Sequence, residues 1–231
     1  MNVPVRAVEQ VTPRALRVAL DSRGATCAFR PGQAVWLGRL DQAVRKPYSI
    51  ASAPSDHHRD GVMEFLVGLD DDGHPGAHLA DLEEGTVVEA TGPIGGIELT
   101  ALDDRSPVLL VAGGTGVAPL RSIWRELLAQ PTTPPLAVVY SARRGEDFAF
   151  GDELLRLQHE GLARVAMTVT RDDATWQGLR GRVSADLLAR NCGQPANTRC
   201  AICGPAAFVA HVAHGLTRLG VPLALIATER W

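Results

Sequence analysis

The segment Arg45-Lys46-Pro47-Tyr48-Ser49-Ile50-Ala51-Ser52 sets two cations, an aromatic ring and two serine hydroxyls side by side. A cation neutralises phosphate, an aromatic face lies against a flat ring, and a hydroxyl hydrogen-bonds the ring's edge. On a strand, these residues read as a site for the phosphate and ring of a flavin. A second segment, Gly113-Gly114-Thr115-Gly116-Val117-Ala118-Pro119, follows the apolar run Val108-Leu109-Leu110-Val111-Ala112. A glycine-rich turn after a buried strand lets backbone approach a pyrophosphate, and the helix that follows offers free N–H groups and partial positive charge. The full G-x-G-x-x-G signature is not met, since Pro119 stands at its last small position. A tight strand-to-helix turn without a ligand would use the same residues.

Further along, Tyr140-Ser141-Ala142-Arg143-Arg144 is followed by Glu146 and Asp147. An arginine at the end of the second strand suits a ribose 2′-phosphate, whereas a carboxylate suits a free 2′-hydroxyl. Both signals are present. Cys200-Ala201-Ile202-Cys203 is a C-x-x-C, but no second one accompanies it and only Cys192 lies near. His211 and His214 lack a third ligand nearby in sequence, so no metal site is expected. His57-His58, with Arg59 and Asp60, reads as a solvated loop.

The elements that must hold these residues fall into two patterns. Short runs rich in Val, Leu and Ile predict strands over 3–11, 15–20, 25–30, 34–40, 48–51, 62–69 and 86–90, with turn clusters such as Asp21-Ser22-Arg23-Gly24 and Asp70-Asp71-Asp72-Gly73 between them. A short helix is expected over 77–82. Many short strands at such spacing predict an N-terminal antiparallel β-barrel, residues 1–103. After Leu102-Asp103-Asp104-Arg105-Ser106-Pro107, strands (108–112, 136–140, 164–170, 199–202, 223–226) alternate with helices (after Pro119, then 152–159, 185–190, 205–219). The run at 108–112 is apolar throughout, as in a strand buried on both faces. The prediction is a C-terminal α/β doubly wound parallel sheet, residues 104–231.

Composition narrows the function classes. Apolar residues make up 45% of 231, enough for real cores, and the net charge is −3 with Lys and Arg scattered. That pattern disfavours nucleic acid as a partner. No apolar run approaches the roughly 18 residues of a membrane span, and Met1-Asn2-Val3-Pro4-Val5-Arg6 lacks a signal-peptide core. A cytoplasmic protein without a membrane partner is the expectation.

With these motifs in this order, the chain resembles the ferredoxin–NADP⁺ reductase-like flavoproteins over nearly its whole length. Their R-x-Y-S strand aligns with Lys46-Pro47-Tyr48-Ser49. The resemblance implies that the cation (Lys46 here, with Arg45 before it) holds the flavin diphosphate. It also implies that Tyr48 lies against the flavin, that Ser49 hydrogen-bonds near its N5, and that Pro47 and Ile50 complete the strand. Gly76-Ala77-His78 aligns with an element that usually opens on a hydroxyl residue, here Gly76. Gly92-Pro93-Ile94-Gly95 matches the family's G-P-x-G turn, though Ile97 stands where an aromatic is usual. In the second half, Gly114, Thr115, Gly116 and Pro119 match the nicotinamide-dinucleotide turn. Cys203-Gly204-Pro205 matches the C-G-P motif, whose cysteine sits near the nicotinamide. Glu229 is implied in local hydrogen bonding or proton supply, and Trp231 as an aromatic that covers the flavin and swings away. Arg143, Thr170-Arg171 and Gly181-Arg182-Val183 fall where NADP⁺-using members bind the 2′-phosphate, which favours NADPH over NADH, and Ser141 is implied in cofactor binding beside them. The implied cofactor is FAD, with FMN the alternative. The implied activity is hydride transfer from NAD(P)H to flavin at the cleft between the two halves. Electrons then pass to an external acceptor, an iron–sulfur protein such as a ferredoxin or an oxygenase component, since four scattered cysteines cannot make a Cys₄ cluster. Lys46 and Gly76 leave a weaker phosphate set than usual. An NAD(P)H:flavin reductase with exchangeable flavin is therefore the alternative, as is an electron-transfer subunit of a larger complex.

Overall fold

A computed structural model describes residues 1–23, 28–99, 105–171 and 173–230. Its first half is a six-stranded antiparallel sheet built from β1 (Asn2–Thr12), β2 (Ala15–Asp21), β3 (Ala34–Arg39), β4 (Lys46–Ser49), β5 (Val62–Gly68) and β6 (Val87–Ile94), with α1 (Pro54–Asp60) between β4 and β5. The strand order is β4-β3-β6-β1-β2-β5. An antiparallel bridge from Ile50 to Phe65 joins the two edges and curls the sheet into a barrel. Inward residues alternate along each strand, as a half-buried strand requires. Val5, Leu20, Val35, Leu37, Ile50, Met63 and Phe65 make the barrel's core, each at most 1% exposed.

The second half alternates β7 (Val108–Gly113), α2 (Val117–Leu128), β8 (Leu136–Ala142), α3 (Gly151–His159), β9 (Arg164–Val169), β10 (Leu179–Arg180), α4 (Ala185–Cys192), β11 (Arg199–Gly204), α5 (Ala206–Arg218) and β12 (Ile226–Arg230). All its strands pair in parallel, in the order β10-β9-β8-β7-β11-β12. Leu110, Ala112 and Val138 face α2 and α3 through Leu120, Trp124 and Leu154. Leu109, Val111 and Val139 face α4 and α5 through Leu188, Val212 and Leu216. The sheet is therefore covered on both sides, and chain order reverses at β7. The crevice outside the carboxyl ends of the strands at such a switch point is where ligands bind in open α/β sheets.

The structure corrects four local expectations. Residues 28–30 of the strand expected over 25–30 are loop (25–27 lie outside the described residues), because Gln33 turns the chain by accepting from Arg30 N at 2.7 Å. Instead of a solvated loop, His57-His58 belongs to α1, which buries no residue and so left no apolar stripe to read. The helix expected over 77–82 is a single 3₁₀ turn, Ala77–Leu79, and the chain then takes a positive φ at Asp81. The strand expected over 223–226 is another 3₁₀ turn, Leu223–Leu225, and β12 starts only at Ile226. Cys200 and Cys203 lie on opposite faces of β11, in different cores.

Candidate active site

Each wall of the cleft between β4 and the glycine turn follows from local chain geometry. On the barrel side, β4 pairs with β3 so that Ser49 stands opposite Ala34 and Lys46 opposite Leu37. On the other side, β7 ends at Gly113, a 3₁₀ turn covers Gly114–Gly116, and α2 leaves at once. In the neighbouring strands, Cys203 lies in register with Ala112 and Glu229. Between the walls is a cleft of about 500 Å³, with Lys46, Pro47, Tyr48 and Ser49 facing Thr115, Gly116, Pro119, Cys203 and Glu229. Residues expected to act together from four separate segments are thus side by side.

Ser49 Oγ donates to Glu229 Oε1 at 3.4 Å, bridging the two halves of the chain. The other carboxylate oxygen, Oε2, is buried with no hydrogen-bond partner among the described residues. Burial raises the Glu229 pKa, only partly opposed by the Ser49 hydrogen bond. Burial also pushes the Cys203 thiol up, and the nearby Glu229 charge adds to this. Cys203 is therefore a neutral thiol at ordinary pH and not a nucleophile.

At the outer end of β4, Tyr48 Oη and His78 Nε2 are 2.9 Å apart and their rings stack. Burial pushes the Tyr48 hydroxyl up to about 12, and burial together with the Lys46 charge lowers the His78 pKa, so both stay neutral. A Cβ on Gly76 would stand 2.8 Å from His78 Cε1 and 3.5 Å from Lys46 Nζ. At the position where the resemblance usually has a hydroxyl residue, the His78 ring fills the space a side chain on Gly76 would need. Exposed Lys46, exposed backbone at Gly76 and a stacked Tyr48–His78 pair fit a flavin phosphate held by point charge, with a ring on Ser49 beyond it.

A smaller cavity of about 230 Å³ lies beside the glycine turn, lined by Gly114, Thr115, Tyr140, Ala142 and Arg143. Arg171 N donates to Arg143 O at 2.9 Å, and Gly181 N to Val169 O at 2.8 Å. These bonds draw the backbones of Arg143, Arg171 and Arg182 together past the carboxyl ends of β8, β9 and β10, all three exposed. Ser141 is buried between Gly113 and Thr168. Gly204 packs on Gly113, and Pro205 opens α5. Gly92, at φ +140°, stands over Ala34 O, where a side chain would be strained.

Some expected residues are not brought to the cleft. The Arg45 guanidinium pairs with Glu89 at 2.7 Å and donates to the Gln42 carbonyl. Ile50 is fully buried in the barrel, and Ala77 is exposed outside the cleft. Trp231 lies outside the described residues. Sequence reasoning missed Leu66 and Gly68, which line the cleft from β5. It also missed Tyr140, whose hydroxyl donates to Gly114 O at 3.0 Å. The alternation of β5 could have suggested the first two; the third depends on two strands meeting.

Residues 3–99 match the model of an oxidoreductase FAD-binding domain, and residues 110–214 that of an oxidoreductase NAD-binding domain. The chain is 36% identical to ferredoxin–NADP reductase B of Sorangium cellulosum, over 97% of this chain and 95% of that protein. It is 30% identical to the ferredoxin–NAD(P)⁺ reductase component of the Pseudomonas putida naphthalene 1,2-dioxygenase system, over 94% of this chain, and spans 64% of that protein's length. Among solved structures, a Neisseria gonorrhoeae ferredoxin NADP⁺ reductase with bound FAD and NADP is similar with TM-score 0.76 and 25% identity, covering 100% of this chain and 98% of that one. An Amycolatopsis cytochrome P450 reductase gives TM-score 0.84 at 25% identity, covering 100% and 69%. Among the described residues, no helix is long and apolar enough to cross a membrane.

Proposed function

Because the chain belongs to the ferredoxin–NADP reductase-like flavoproteins and is an FAD-dependent NAD(P)H oxidoreductase, we propose that NAD(P)H is oxidised in the cleft between β4 and the glycine turn, and that electrons leave to an external iron–sulfur protein or oxygenase component. The observation that carries this reading is the convergence of Lys46–Ser49 with Thr115, Gly116, Cys203 and Glu229 on one cleft. The division into residues 1–103 and 104–231 is part of it, with the two domain matches falling on either side.

Bound FAD supplies the hydride acceptor; hydride transfer is intrinsic to such cofactor pairs, and the protein supplies binding and orientation. Lys46 and the Gly76 backbone would hold its phosphate, Tyr48 its flank and Ser49 its ring edge. Gly114–Gly116 and the start of α2 would take the dinucleotide pyrophosphate. Gly116 lets that turn lie against Cys203, and Cys203 fills the floor beside the nicotinamide as a neutral group. Glu229, its pKa raised by burial, would take part in hydrogen bonding or proton supply at the buried edge through its contact with Ser49 Oγ. We further infer that Arg143, Arg171 and Arg182 favour NADPH over NADH, since guanidinium matches phosphate bidentately.

Anaerobic titration with NADPH and with NADH, following flavin absorption, tests the reading. Bleaching of bound flavin with preference for NADPH, lost in Arg143→Ala while NADH is unaffected, is the expected result. A protein that binds nucleotide but never flavin would overturn it. Flavin that dialyses away yet is reduced when added would replace it with the exchangeable-flavin reductase.

A further inference from the structure

Behind the cleft, the two halves meet through charged groups that face each other out of water. Arg121, on α2, is only 6% exposed in its side chain. Its Nη1 donates to Glu64 Oε2 on β5 at 2.6 Å and to Ala51 O at 3.1 Å, and its Nε donates to Glu153 Oε2 on α3 at 2.7 Å. The guanidinium carbon lies 4.3 Å over the Phe150 ring. Phe150 takes φ +59°, a left-handed conformation uncommon outside glycine. One turn on, Arg125 repeats the bridge, to Asp56 on α1 at 2.5 Å and to Glu153 Oε1 at 3.1 Å, and Trp124 Nε1 donates to Glu153 at 2.9 Å. One carboxylate thus holds three residues of α2, and both arginines reach across to barrel carboxylates.

The clamp lies close behind both walls of the cleft. Arg121 follows Ala118, a cleft residue, by one helical turn. Glu64 precedes Leu66 and Gly68, both cleft residues, on the same face of β5. Ala51, whose carbonyl Arg121 takes, is two residues beyond Ser49. A planar fork fixed by two carboxylates, a carbonyl and an aromatic face sets direction as well as distance. Nothing in the proposed chemistry uses these groups.

We propose that Arg121 is a positioning residue for hydride transfer: the Glu64–Arg121–Glu153 clamp fixes the separation and angle of the cleft's two walls. The proposal rests on the reading that nicotinamide and flavin meet between those walls. Near-attack geometry is sharp enough that a displacement of about 1 Å costs on the order of 100-fold in rate.

The test compares Arg121→Lys, which keeps the charge without the fork, with Arg121→Met, each FAD-loaded. Expected is a fall of about 10-fold or more in the limiting rate of flavin reduction at saturating NADPH, with the NADP⁺ dissociation constant and flavin absorption unchanged. Small-angle X-ray scattering of the same samples should show a broadened distance distribution. A limiting rate within about twofold of wild type in Arg121→Lys, with an unchanged scattering profile, overturns the proposal, whether or not Arg121→Met folds. If neither nucleotide reduces the wild-type flavin, the functional reading fails, and the scattering comparison alone decides the clamp: a broadened profile supports it and an unchanged one overturns it.

Discussion

Gly116→Ala adds one methyl group where the glycine turn lies against β11. Its Cβ would stand 2.4 Å from Cys203 O, 2.5 Å from Cys203 C and 2.8 Å from Gly204 N. All three are backbone atoms of β11, so no side chain can rotate out of the way. Reaching 3.0 Å, a separation below which real Cβ contacts essentially never fall, moves the turn by about 0.6 Å. Overpacking of this kind costs about 1–3 kcal/mol, or roughly 2–12 °C in melting temperature for a chain of this size. The same displacement carries Gly114 and Thr115 away from the cleft floor, so the limiting hydride-transfer rate should fall roughly 10- to 100-fold. Stopped-flow reduction of bound flavin at saturating NADPH measures the rate, and thermal unfolding the stability. Gly68→Ala is the control. It lines the same cleft, but its Cβ would meet only Thr115 Cγ2, at an ordinary 3.8 Å. Its melting temperature should not move. Wild-type reduction and unchanged melting in Gly116→Ala would refute the idea that contact with β11 sets the turn.

Tyr140→Phe leaves the Gly114 carbonyl without its donor and should cost about 0.5–1.5 kcal/mol, seen mainly as a raised KM for NADPH; an unaltered KM argues against a positioning role. Asp56 gives a pH signature. Burial works to raise its pKa, but Arg125, the Ala53 N–H and Arg59 outweigh it and hold the carboxyl at about 2, below its ordinary 3.8. A depressed folded-state value means the stabilisation, about 2 kcal/mol, is whole above pH 4 and is lost as pH falls through about 2. Urea unfolding of wild type and Asp56→Asn should therefore converge between pH 4 and pH 2; a gap constant with pH contradicts this. From the sequence alone, Trp231→Ser should tighten nicotinamide binding, and an equilibrium titration with NADP⁺ that shows no change removes the cover role.

The parts of the fold legible in sequence were those set by local rules. The turn after β7 needs glycine because backbone meets backbone there, whereas Cys203-Gly204-Pro205 was legible only through the family resemblance. The run apolar throughout at 108–112 marked a doubly covered strand, and short Val-, Leu- and Ile-rich runs between turn clusters marked the barrel. The helix α1 was invisible because none of its seven residues is buried. The Gly76 departure looked like a lost hydrogen-bonding group until His78 was seen in its place. Arg121, Arg125, Glu64 and Glu153 carry no sequence signal at all, since long charged side chains on an amphipathic helix ordinarily face water. Only tertiary packing of β5, α2 and α3 turns them inward.

Gly113, Gly116, Cys203 and Gly204 crowd one crossing of backbones, with Phe208 2.9 Å from where a Cβ on Gly113 or Gly204 would stand. Substitutions there draw on the same room, so their effects should not add. The arginines at the end of β8, β9 and β10 are exposed and stand in loops. This geometry separates what can evolve from what cannot. On the proposed reading of these arginines, nucleotide preference can drift, or be re-engineered, by exchanging exposed side chains one at a time. The backbone crossing proposed to align the reacting atoms is closed to single steps, so related chains should differ in which nucleotide they prefer far more readily than in how they hold it.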